Sequence, residues 1–86
     1  MKAKSKQKLP KWFNGELYKE GGTVRNRFSG EEYELNNVEL SMYDFIMGAQ
    51  MVFESGFSDE KLISDFQKGL RWFSKNNIKA YMVLLD

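Results

Sequence analysis

LNNVELSMYDFIMGAQMVFESGFS, residues 35–58, reads as one helix with its start and stop signals attached. Asn36 stands at the N-cap position and Glu39 three residues on, the pairing of a capping box. Leu35 before the cap and Leu40 after it are spaced as a hydrophobic staple. The helix is expected to run to Glu54, with Gly56 as its stop. Its apolar residues (Leu40, Met42, Tyr43, Phe45, Ile46, Met47, Ala49, Met51, Val52, Phe53) nearly encircle it, which predicts a central helix.

Downstream, Ser58 reads as the next N-cap, with Asp59 and Glu60 favoured by the helix dipole and Phe57 placed to staple to Leu62. Leu62, Phe66, Leu70 and Phe73 form one stripe; Lys61, Ser64, Asp65, Lys68, Arg71 and Lys75 lie away from it. This second helix ends near Asn76-Asn77, and the short link Gly56-Phe57 predicts an antiparallel helical hairpin. Gly48 and Gly69 each cost a helix about 1 kcal/mol relative to alanine. Close approach of the two helices is the expected reason, a shallow groove for a ligand or partner helix the alternative. The closing IKAYMVLLD fits either a terminal helix capped by Asn77 or a buried strand; Ala80, Met82, Leu84 and Leu85 favour the helix.

Upstream, residues 23–35 alternate as a β-hairpin: Val24, Asn26 and Phe28 on one face, Thr23, Arg25 and Arg27 on the other, with Ser29-Gly30 as the turn. Arg25 and Arg27 are expected to face Glu32 and Glu34 across the strands. Trp12 and Phe13 open the structured body behind Pro10. The expected architecture is α+β: a small N-terminal β-hairpin region packed on an antiparallel two-helix hairpin, with a short C-terminal helix. Residues 10–86 would form the single domain and residues 1–9 a disordered basic tail.

Composition removes much chemistry. The 86 residues hold no histidine and no cysteine, so there is no imidazole base, no thiolate nucleophile and no Cys/His set for zinc or iron. NRFSGEEYEL has the outline of a zinc-knuckle hairpin, but without thiolates. Tyr43, Asp44 and Glu39 are the nearest approach to an acid/base cluster, and no carboxylate pair has hydrolytic spacing. No cofactor, metal site or catalytic residue is expected, and the protein reads as a non-enzyme. Thirteen aromatic residues supply core volume without disulfides. No apolar run reaches a membrane span, and Met1–Lys8 has no apolar segment behind it, so neither membrane nor secretory signal is expected.

The charge is asymmetric. Lys2, Lys4, Lys6, Lys8 and Lys11 make the first eleven residues basic, while residues 12–86 carry 8 basic and 12 acidic side chains. Two partner classes follow. An apolar first helix, larger than its neighbours can cover, implies protein–protein contact, with a homodimer as the simplest form. Alternatively, the lysines with Trp12, and Arg25 and Arg27 on the hairpin, would contact nucleic acid through phosphates and base stacking.

The stretches NRFSGEEYELNNVELSMYDFIMG and WFSKNNIKAYMVLLD, 38 of the 86 residues, resemble segments of short uncharacterised proteins of tailed marine cyanophages and related ocean-metagenome sequences. The resemblance carries no catalytic motif and no site residues. It implies action in the cytoplasm of an infected bacterium, or in the virion. Those proteins place a proline where this chain has Ile78, a residue suited to the first position of a terminal helix.

Overall fold

A computed structural model describes residues 7–85. Two antiparallel strands, β1 (Gly22–Arg25) and β2 (Glu32–Leu35), precede three helices: α1 (Asn37–Glu54), α2 (Glu60–Asn76) and α3 (Ile78–Leu84). The expected α+β arrangement is the observed one. Leu35, Met42, Ile46, Phe73, Ala80 and Leu84 form the buried core where β2, α1, α2 and α3 meet.

The start of α1 is as its sequence dictates. The Glu39 amide donates to Asn36 Oδ1 at 2.8 Å and the Asn36 amide to Glu39 Oε1 at 3.0 Å. The helix is not sheathed all round, however. Met42, Ile46 and Ala49 are buried on one face, while Asp44, Gly48, Met51 and Val52 are open on the other. Neighbours cover one side of α1 only, so part of its apolar surface stays at the surface.

The link to α2 is longer than expected, because Asp59 and not Ser58 caps the helix: its carboxylate accepts from the Leu62 amide at 3.1 Å. A carboxylate adds charge at the positive end of the dipole, which a serine hydroxyl lacks. Phe57 consequently stays 56% exposed and does not staple to Leu62. The buried line of α2 is Asp65, Gly69 and Phe73, flanked by half-buried Leu62, Phe66 and Leu70. Asp65 is thus turned inward, contrary to expectation, and bonds to Lys61 Nζ one turn back at 2.9 Å.

The two helical glycines differ. A Cβ on Gly69 would lie 3.3 Å from both Ile46 Cγ1 and Met42 Sδ, the close approach that was expected. A Cβ on Gly48 would meet nothing within 4 Å, so close packing does not explain that residue. Asn77 ends α2 and caps α3, its Oδ1 accepting from the Ala80 amide at 3.1 Å. The closing segment is therefore helix, Ile78 notwithstanding.

The hairpin is shorter than the alternation suggested. Arg25 pairs with Glu32 and Thr23 with Glu34. The Arg25–Glu32 ion pair forms at 3.0 Å, but both groups are largely exposed, which limits it to a few tenths of a kcal/mol. Arg27 lies beyond the last ladder position and does not face Glu34. Residues 26–31 form the turn: the Gly30 amide donates to the Asn26 carbonyl at 2.9 Å, and Gly30 takes φ +81°, a left-handed value that favours glycine.

Residues 7–21 run over the helices without forming a strand. Within the segment expected as a tail, Gln7 and Lys8 are bonded to the body. Gln7 Nε2 donates to Glu39 Oε2 at 2.8 Å, and the Trp72 indole donates to the Lys8 carbonyl at 3.0 Å. Trp12 and Phe13 each pack on Phe45 of α1, with ring centroids 5.8 Å apart. Farther on, the Tyr18 amide donates to Ser41 Oγ at 2.9 Å.

Candidate functional site

The turn of the hairpin, the middle of α1 and the end of α3 enclose a cleft of about 240 Å³. Its lining comes from Asn26, Arg27 and Phe28 on the turn, Tyr43, Met47 and Gln50 on α1, and Leu84 and Leu85 at the end of α3. Tyr43, Met47 and Gln50 recur at helical spacing and therefore share a face of α1, distinct from the Met42–Ile46–Ala49 face turned to the core.

Asn26 builds one wall with its single side chain. Its Nδ2 donates to the Val83 carbonyl at 2.7 Å, fastening the turn to the last turn of α3. Its Oδ1 accepts from the Phe28 and Ser29 amides at 2.7 and 3.1 Å. That local turn, of the kind asparagine side chains favour, holds Phe28 away from the body. Phe28 is 93% exposed at the rim of the cleft. The Arg27 guanidinium carbon lies 6.0 Å from the centre of the Phe28 ring, the outer edge of cation–π range.

The electrostatics of the cleft are governed by Arg27. Among the described residues it has no carboxylate within ion-pair distance. Partial burial pushes the Tyr43 phenol above its ordinary range, Arg27 opposes that shift, and Asp44 adds to it. The cleft can therefore bury an apolar side chain and pair an anion at its rim. Tyr43, Asp44 and Glu39 do not converge: Tyr43 lines the cleft, Glu39 is buried in the α1 cap, and Asp44 accepts from the Tyr18 hydroxyl at 2.5 Å. That bond is the main reason the Tyr18 phenol is raised. Among the described residues no three acidic side chains stand close enough to hold a metal ion.

The residues expected to contact nucleic acid are scattered. Lys2, Lys4 and Lys6 lie outside the described residues. Lys8 and Lys11 are exposed, Trp12 is packed between Phe13 and Phe45, and Arg25 is engaged with Glu32. Among the described ones, only Arg27 reaches the cleft. Sequence reading did not place Tyr43 and Met47 at a cleft because it counted them among the apolar residues encircling α1, and it missed Asn26 as an anchor because its partner is remote in sequence. The available signal was the Tyr43–Met47–Gln50 spacing on a helix with apolar residues to spare. No helix among the described residues is long and apolar enough to cross a membrane. No family model, curated protein or solved structure matches this chain.

Proposed function

We propose that the protein is a small binding protein that works through protein–protein contact at the hairpin tip and the cleft beside it. The observation that carries this reading is Phe28, an aromatic side chain 93% exposed at the rim of a cleft with both apolar and polar lining. Aromatic residues at the centre of an interface dominate its energetics. Met51, one turn beyond Met47, is also exposed and extends the apolar surface along α1. The setting implied by the sequence resemblance is an accessory role in an infected bacterium. Nucleic-acid contact is the weaker reading, since Trp12 and Arg25 are already occupied within the fold.

The test is photocrosslinking in the expressing cell, with p-benzoylphenylalanine in place of Phe28 and, as control, in place of exposed Lys68 on α2. A discrete polypeptide adduct at position 28 and none at 68 is expected. Equal adducts at both positions, or adducts with nucleic acid alone, would refute the reading.

A further inference from the structure

We infer that the occupant of the cleft is a second copy of this chain, with Phe28 of each protomer inserted into the cleft of the other. This rests on the protein-contact reading and names the partner. The cleft, about 240 Å³, is below the roughly 300–1,000 Å³ of small-molecule sites and suits one large side chain. The side chain in search of cover, Phe28, stands on its own rim. A two-fold axis close to that rim brings each Phe28 over the opposite cleft, the self-complementary pairing that isologous interfaces require.

Charge gives the second argument. Phe28 is bracketed on its turn by Arg27 and Glu31. Neither belongs to an ion pair among the described residues. The Glu31 carboxylate receives only a long bond, 3.4 Å, from the Ser29 hydroxyl. One turn thus presents a cation, a ring and an anion in order, and a two-fold partner presents them in reverse. Arg27 of each protomer then meets Glu31 of the other, forming two ion pairs around the inserted rings. A single hairpin tip and cleft bury less than a standard interface, so the dimer is expected to be weak and to form with rising concentration.

The experiment is sedimentation equilibrium on the full chain, from about 10 µM to about 1 mM. The expected result is a rise from 10.1 kDa toward twice that mass. Phe28→Ala should weaken dimerisation about tenfold or more; the ring is exposed, so far-UV circular dichroism should be unchanged. Arg27→Glu and Glu31→Arg should each weaken the dimer, and the two together should restore it, as should mixing the two single variants, which an ion pair inside one turn would not do. A monomer at every concentration overturns the proposal, as does a dimer indifferent to Phe28→Ala or a double variant without rescue. A monomer that still gives a single adduct of another polypeptide at position 28 would overturn the self-association and leave the protein-contact reading standing. A monomer with no adduct would remove both.

Discussion

Glu39→Ala takes away an acceptor shared by three parts of the chain. Its carboxylate, on a residue only 5% exposed, accepts from the Asn36 amide at 3.0 Å, Asn77 Nδ2 at 3.0 Å and Gln7 Nε2 at 2.8 Å. Gln7 keeps a second acceptor, the Asn76 carbonyl at 3.3 Å. The Asn36 amide and Asn77 Nδ2 lose the acceptor they share. Two stranded donors at about 1–3 kcal/mol each give a loss of about 2–6 kcal/mol. A chain of this length has a total stability of roughly 4–13 kcal/mol, so the loss is a large share of it. Urea unfolding followed by circular dichroism and tryptophan fluorescence measures the change. Glu39→Gln, which keeps one acceptor oxygen and turns an amide toward a donor, should fall between the wild type and the alanine variant. A loss under about 1 kcal/mol for Glu39→Ala would show that water replaces the carboxylate at little cost, and the reasoning would fail.

Other outcomes follow from the same contacts. Gly48→Ala should raise stability by about 0.5–1 kcal/mol, since the added methyl meets nothing, whereas Gly69→Ala should lower it against fully buried Met42 and Ile46; equal effects in chemical denaturation would contradict the packing described. Asp59→Ala should cost about 1 kcal/mol in thermal unfolding and Ser58→Ala close to nothing, the reverse ranking being expected had Ser58 been the cap. The folded state holds the Tyr18 phenol neutral beside Asp44, so the unfolded chain ionises first. That contribution is present below about pH 10 and fades as pH rises further. In ultraviolet titration Tyr18→Phe should remove one late-ionising phenol, and its unfolding midpoint should decline less steeply above pH 10 than that of the wild type.

The features legible in the sequence are those whose partners are near neighbours in the chain. Asn36 with Glu39, and Asn77 with Ala80, are three residues apart, so caps and helices follow from spacing alone. Gly48 and Gly69 look alike in sequence and differ only in what lies opposite them in space. Asp65 reads as a surface residue because its helix places it next to polar neighbours, yet the packing of α2 on α1 turns it inward. The candidate site was the least legible part. Asn26 fixes the turn through a carbonyl 57 residues away, and no local pattern reports that bond. Trp12, expected as a stacking platform, is held by Phe45 on a helix that begins two dozen residues later.

The bond between the Trp72 indole and the Lys8 carbonyl spans 64 positions, and that between Gln7 and Asn76 spans 69. On the ribosome, residues 7 and 8 emerge long before α2 and find these partners only after it has been made. Residues 7 and 8 thus wait for partners made more than sixty residues later. Until then the cover that Trp12 and Phe13 give Phe45 is not pinned by the bonds that tie residues 7 and 8 to α2.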